Sequence, residues 1–222
     1  MTTIEQRMKQ DFDRFLQQET AGNYTVELID DIGSGDPLTG GGTTRTRCVC
    51  FAKDPGKDPI FRTSTDDPIH RGQAAYIPEL ERFYLITDDP QRHPNCYTAH
   101  ATRCNAYITV CQTVAAITDD CGFEIEPETV RVILRNVPAV TKWRYDLTGG
   151  SSGSAGRYTA DVLEVQIQLN AYTAAVRPGA WFELDGQRFT IYDLNTDAEA
   201  SGGGIITWYS QADAGSRDTG SA

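Results

Sequence analysis

GAWFELDGQRFTIYD, residues Gly179 to Asp193, holds the signals that decide the fold. Trp181, Phe182 and Leu184 stand before Asp185-Gly186, and Phe189 and Ile191 stand after it. An Asp-Gly pair between two short aromatic and β-branched runs marks a two-residue β-hairpin. Both central positions of that turn take a left-handed backbone, which Gly, Asn and Asp tolerate best. A second stretch has the same order. Gly72-Gln-Ala-Ala-Tyr-Ile-Pro-Glu-Leu-Glu-Arg82-Phe83-Tyr-Leu-Ile86-Thr-Asp88 runs from a Gly through an apolar strand and a turn to a strand that begins Arg-Phe and ends at an Asp. Two copies are too few for a solenoid. They read as equivalent hairpins of one barrel-like fold, or as parts of two related halves.

Period-2 alternation extends outward from these hairpins. Tyr24, Val26 and Leu28 alternate with Thr25, Glu27 and Ile29, and Arg45 to Phe51 alternates again. Further strands are expected at Gln73 to Ile77, Phe83 to Thr87, Tyr97 to Val110, Val130 to Leu134, Thr141 to Leu147, Tyr158 to Leu169, Ala180 to Leu184, Phe189 to Leu194 and Ile205 to Tyr209. Short strands punctuated by regular turn signals, without alternating helices, predict a mainly β protein, an antiparallel barrel or sandwich. One helix is expected, over Ile4 to Gln18. Thr2 or Thr3 caps it, Ile4, Met8, Phe12, Phe15 and Leu16 form its stripe, and Gly22 ends it. That stripe packs on the body or serves as a partner-docking arm.

The expected organisation is an N-terminal helix over 1–22, a β-rich part over 23–146, a Gly/Ser-rich loop or linker over 147–157, a hairpin part continuing the barrel over 158–209, and a flexible tail over 210–222. Gly and Ser cannot bury enough surface to offset ordering, so Ile32 to Thr44, Leu147 to Arg157 and the tail are expected to be flexible.

The chain has 222 residues, with 20 Lys and Arg against 31 Asp and Glu, a formal charge of -11. Counterion release on a duplex needs clustered cations, so a basic DNA-gripping protein is excluded. The cations are 16 Arg and only 4 Lys, and Arg is the cation favoured at planar protein–protein contacts. No apolar run approaches the roughly 20 residues of a membrane helix. Met1 to Gln6 lacks the basic and apolar regions of a signal peptide, so cytoplasmic synthesis is the expectation. The cysteines, Cys48, Cys50, Cys96, Cys104, Cys111 and Cys121, are too sparse for a disulfide framework and read mostly as buried thiols.

The best metal candidate is His93-x2-Cys96-x3-His100-x3-Cys104, four zinc-type ligands in a short run. Steps of four residues along a strand are about 13 Å, too far for one ion unless the chain bends sharply. The reading is therefore a strand with buried thiols, with zinc as the alternative. Cys48-x-Cys50 lies in an alternating strand and is read as a strand thiol pair, not as a metal knuckle. The pairs Asp30-Asp31, Asp66-Asp67, Asp88-Asp89 and Asp119-Asp120 sit at strand ends, where Asp bonds nearby backbone, and read as turn initiators. No phosphate loop, nucleophile elbow or zinc-protease motif is present, so no catalytic residue and no cofactor is assigned.

Tyr84-Leu85-Ile86-Thr87, then Cys104-Asn105-Ala-Tyr-Ile leading towards Gly122, resembles the core of the head-tail connector proteins of tailed bacteriophages, the minor capsid or head-closure (stopper) proteins. Val165 to Asn170, Arg188-Phe189-Thr-Ile191, Asp193-Leu-Asn195 and Gly202-Gly-Gly-Ile205-Ile206 resemble that family's C-terminal hairpins. The resemblance covers about Gly72 to Tyr209. It implies a β-barrel subunit in the virion neck, assembled in the host cytoplasm as a homo-oligomeric ring of six- or twelvefold symmetry. The implied partners are a portal or adaptor protein on the head side and a tail terminator or tail tube protein on the other, with double-stranded DNA passing through the lumen. An acidic wall suits passage without grip. The alternative is a β-sandwich binding module of a tail or baseplate. A metal-dependent hydrolase would rest only on the His93 to Cys104 cluster.

Overall fold

The computed structural model describes Arg7 and residues 24–38, 45–51, 59–64, 68–94, 96–144, 162–198 and 204–213. The expected N-terminal helix (apart from Arg7), the Gly/Ser-rich segment 147–157 and the tail beyond 213 lie outside the described residues. Within them the protein is mainly β, built from antiparallel strands.

The first sheet contains β1 (Tyr24–Ile29), β2 (Arg45–Phe51), β3 (Ile60–Ser64), β4 (Ala74–Ile77), β5 (Arg82–Ile86), the two-residue β6 (Gln91–Arg92) and β7 (Cys96–Arg103). Its order is β3-β2-β1-β4-β5-β7-β6, and an extra pairing of β3 with β7 closes six of these strands into a ring. The second half contains β8 (Ala106–Val114), β9 (Ile117–Thr118), β10 (Glu124–Glu126), β11 (Thr129–Arg144), β12 (Val162–Gln168), β13 (Trp181–Leu184), β14 (Gln187–Ala198) and β15 (Gly204–Ala212). Six of them form the closed barrel β11-β12-β15-β14-β13-β8, and β9 and β10 pair separately. When the strands of each ring are lettered a to f in chain order, both rings close as a-b-c-f-e-d.

The two stretches that look alike in sequence are the d–e hairpins of the two rings. Gly72 and Gly179 open them at φ of 86° and 91°, a region that disfavours any side chain. Gly72 N donates to the Ile86 carbonyl at 2.8 Å, and Gly179 N donates to the Ile191 carbonyl at 2.8 Å. The Arg-Phe pairs, however, do not correspond. The turn Pro78 to Glu81 is two residues longer than Asp185-Gly186, so the counterpart of Phe189 is Tyr84. Phe189 stacks on Phe182 at 5.5 Å inside its own barrel, whereas Phe83 points out of its barrel and meets Tyr107 edge-on at 6.1 Å.

That difference explains the apolar run Phe83 to Ile86. Tyr84 and Ile86 join Val26, Leu28, Phe61, Ala75, Ile77 and Ala99 inside the first barrel. Ala74 and Phe83 join the second barrel's cluster around Ile108, Val165, Phe182 and Trp208, and Leu85 packs with Val140 and Ile205. A strand buried on both faces reads as a continuous apolar run instead of an alternating one. Each Leu, Ile, Val or Phe buried at this seam stabilises it by roughly 1.5–3 kcal/mol.

Polar groups fix the seam further. Gln168, 3% exposed on β12, accepts from Ile32 N at 2.7 Å and donates to the carbonyls of Ile29 and Asp30 at 3.0 Å each. Asn170 donates to Asp31 Oδ1 at 2.8 Å and to the Gly33 carbonyl at 3.0 Å. Residues 32–38 are therefore anchored at their start, with Ile32 buried, and Arg135 N also donates to the Ser34 carbonyl.

The expected strands are corrected at two places. The stretch Tyr97 to Val110 is two strands, because the chain crosses from one barrel to the other at Cys104-Asn105: Cys104 N bonds the Phe83 carbonyl and Asn105 N bonds the Ala139 carbonyl. Conversely, Val130 to Leu134 and Thr141 to Arg144 belong to one 16-residue strand, β11. Bulges around Leu134 and a left-handed Asn136 (φ 50°) absorb the irregularity that Pro138 suggests in sequence.

Candidate functional site

The His93 to Cys104 cluster does not converge. Extended β7 separates Cys96 from His100 by about 13 Å. Cys96 is buried, whereas His93 and His100 are exposed. His93 Nε2 is 3.0 Å from Thr98 Oγ1. Cys104 sits at the inter-barrel corner among Leu85, Val140 and Ile205, whose apolar surroundings push its thiol well above the ordinary range. Among the described residues no three His, Cys, Asp or Glu side chains come together as a metal site. The side chains of Cys48 and Cys50, and the pair Asp66-Asp67, lie outside the described residues.

In two of the other acidic pairs, Asp30-Asp31 and Asp119-Asp120, a carboxylate accepts from nearby turn backbone. Asp31 Oδ1 accepts from Gly33 N at 2.7 Å. Asp119 Oδ1 accepts from Cys121 N at 2.9 Å and from Phe123 N at 2.8 Å. An open groove of about 500 Å³ lies on the second barrel between Arg144, Tyr192, Asp193, Asn195 and Tyr209. Its one cation is committed: Arg144 is ion-paired with buried Glu164 and lies 5.6 Å from the Tyr209 ring centre. The groove offers aromatic and amide surface and no nucleophile beside a base.

The most distinctive surface is elsewhere, on the hairpin between β8 and β11. β8 meets β13 only at Val110 and Cys111, and β11 meets β12 only from Val140 onward. Beyond Cys111 and Val132 the two strands therefore run on as a two-stranded ribbon, continued by β9 and β10 to a turn at Asp119 to Gly122. Nine steps from Cys111 to Asp120 at strand rise give an arm about 30 Å long. Trp181 Nε1 donates to Thr113 Oγ1 at 3.2 Å at its root. The turn closes through the Asp119 contacts above and Gly122 at φ 83°.

The arm's composition is unlike a solvated loop. Val114 (46% exposed), Ile117 (51%), Phe123 (72%), Ile125 (63%), Val130 (55%) and Val132 (37%) all lie on it. These are six of the eleven large exposed hydrophobics among the described residues, so the exposed apolar surface is concentrated here. From Gln112 to Val132 the arm also carries Asp119, Asp120, Glu124, Glu126 and Glu128 against a single cation, Arg131. A two-stranded ribbon in water is marginal alone, and concentrated exposed apolar surface marks an interaction site.

The sequence reading placed a turn at Asp119-Asp120 and no strands beside it. The missed signal is the alternation Phe123-Glu124-Ile125-Glu126 after Asp-Asp-Cys-Gly, which is a short hairpin pattern. Its acidic partners mask its apolar side.

No protein-family model matches the sequence, and no curated protein matches it. Among solved structures the chain is similar to one titled "MrkH, A novel c-di-GMP dependence transcription regulatory factor", at 7% identity, with 95% of this chain and 84% of that chain covered and a TM-score of 0.22. A TM-score of that size falls short of a shared fold.

Proposed function

We propose that the protein is a structural component of a tailed-phage neck, a head-closure or connector subunit that assembles as a homo-oligomeric ring between the portal or adaptor and the tail terminator or tail tube. It acts by assembly and by surrounding double-stranded DNA, not by catalysis, in the virion and after synthesis in the host cytoplasm. The resemblance around Tyr84 to Thr87 and Cys104-Asn105 motivates this reading.

The observation that carries it furthest is the arm. Closed barrels have no free sheet edges through which to associate, so a projecting ribbon with uncovered Phe and Ile is the natural means of joining subunits. The charge of -11 is compatible with a lumen that does not hold phosphates. Among the described residues no helix is long and apolar enough to cross a membrane.

Deleting the coding sequence should give DNA-filled heads that leak or lack tails, seen by electron microscopy. Normal tailed particles without this chain would end the proposal. The groove around Tyr192, Tyr209 and Asn195 favours a second reading, a β-sandwich binding module of a tail or baseplate. A monomeric or trimeric state would support that reading, and a six- or twelvefold ring the neck.

A further inference from the structure

We propose that the arm of one copy docks on the outer β3–β7–β6 face of the first barrel of the next copy, so that the chains associate head to tail. This rests on the ring reading only for its closure into a ring; the contact itself follows from surfaces on the two ends of the molecule.

The alternation of β3 and β7 defines the receiving face. Phe61, Thr63, Ala99 and Ala101 are buried, so Ile60, Thr98 and His100 face outward, with Arg62 partly buried beside them. β6 adds Gln91 beside Thr98, and His93 bonds Thr98 there. Arg92 is exposed on the same two-residue strand. Asp88 and Asp89 precede β6 in sequence, and Asp58 and Asp66-Asp67 flank β3. The ring order sets this face away from the seam, because Ala74, Phe83 and Leu85, on β4 and β5, cover the other side of the barrel. The two histidines of the supposed metal cluster thus belong to a cationic and imidazole surface.

The arm has the complementary character, with five carboxylates against one cation, Arg131, from Gln112 to Val132. It also points the right way. β8 leaves the first barrel at Tyr107, which touches Phe83, and runs from there toward the arm's tip. An acidic apolar projection leads away from one end, and a face bearing Arg62, Arg92, His93 and His100 lies at the other. Such a pair of unlike surfaces makes a heterologous contact, which generates rings when the rotation closes and filaments when it does not. Opposite charge guides the approach, and Phe123 and Ile125 provide the apolar anchor.

The experiment is sedimentation velocity and native mass measurement of the full chain over a concentration series. The wild-type chain self-associates. Phe123→Ser with Ile125→Ser weakens that association about thirtyfold or more, the loss of one interface hot spot. Glu124→Arg with Glu126→Arg (arm reversed) and Arg92→Glu with His100→Glu (face reversed) each weaken it alone, and mixing the two reversed proteins restores a heterodimer. All four side chains are exposed, and circular dichroism checks that each variant keeps its β signal. A chain that stays monomeric at high concentration overturns the proposal. So does association that the arm variants leave unchanged, or that face reversal leaves unchanged while arm variants abolish it, since the latter is arm-to-arm pairing or an arm held by another protein. The two proposals fail separately. Normal virions without the chain remove the neck reading and leave the head-to-tail contact standing, whereas a ring insensitive to the arm removes the contact and leaves the neck.

Discussion

Replacing Gly72 with Ala should be far more costly than the same change at Gly179, although the two glycines hold the same place in their barrels. Both have φ near 90°, so each Ala meets a backbone strain of about 1–2 kcal/mol. At Gly179 an added methyl group finds no atom within 4 Å, and strain is the whole cost. At Gly72 the methyl would overlap the backbone carbonyl of Gly204 and lie 2.7 Å from its nitrogen. Neither can swing aside as a side chain would. The Gly204 carbonyl also accepts from Leu169 N at 2.9 Å, so moving it strains the β12–β15 edge as well. Overpacking of this kind adds about 1–3 kcal/mol, which brings Gly72→Ala to roughly 2–5 kcal/mol. For a chain of this size, at roughly 2–4 °C per kcal/mol, Gly179→Ala loses about 2–8 °C of Tm and Gly72→Ala roughly 4–20 °C. Guanidinium unfolding followed by Trp fluorescence measures the difference. Because the clash lies on the seam, Gly72→Ala should also split the transition into two. Equal losses within about 0.5 kcal/mol would refute the claim that the barrels meet backbone to backbone at this point.

Gln168→Ala should cost about 2–4 kcal/mol, because it strands the buried Ile32 N–H and two carbonyls; Gln168→Glu keeps the acceptor, loses the donor and gives no rescue in the same unfolding assay. Thiol labelling of the native protein, mapped by mass spectrometry, should modify exposed Cys121 first, half-buried Cys104 more slowly, and leave Cys96 and Cys111 protected; modification of Cys96 as fast as Cys121 would contradict its packing. Burial raises the Cys104 thiol in the folded state, so the unfolded chain alone loses that proton above the ordinary pKa of about 8.5. Stability is then complete below that pH and falls by up to about 1.4 kcal/mol per unit above it, and Cys104→Ala should flatten this alkaline slope.

The sequence was informative where local pattern alone decides the element. Arg45 to Phe51 is the strand its alternation predicts, and Asp185-Gly186 is the turn its residues require. It was misleading where tertiary contacts override local pattern. The alignment of Arg82-Phe83 with Arg188-Phe189 was persuasive as text, but turn length shifts the pairing by one residue and reverses which way the Phe points. Cys104-Asn105 carries no breaker, yet the chain changes barrel there, because backbone bonds to Phe83 and Ala139 define the corner. The His93 to Cys104 run lies spread along and beside β7, but nothing local showed that both histidines share a surface with β3, which arrives from elsewhere in the chain. The arm was hardest to see, since Phe123 and Ile125 alternate with carboxylates that make a short exposed ribbon look like a loop.

The common a-b-c-f-e-d closure of both barrels has a practical consequence for anyone counting subunits. An assembly of n chains contains 2n barrels of one connectivity, so density that outlines barrels without side chains overstates its order by a factor of two. Among the described residues, what tells the halves apart is small: the longer bend at Pro78 to Glu81 against the tight Asp185-Gly186, and the ribbon projected by the second half. Stoichiometry should therefore come from mass, and image symmetry should be imposed only after that ribbon has been located in each repeat.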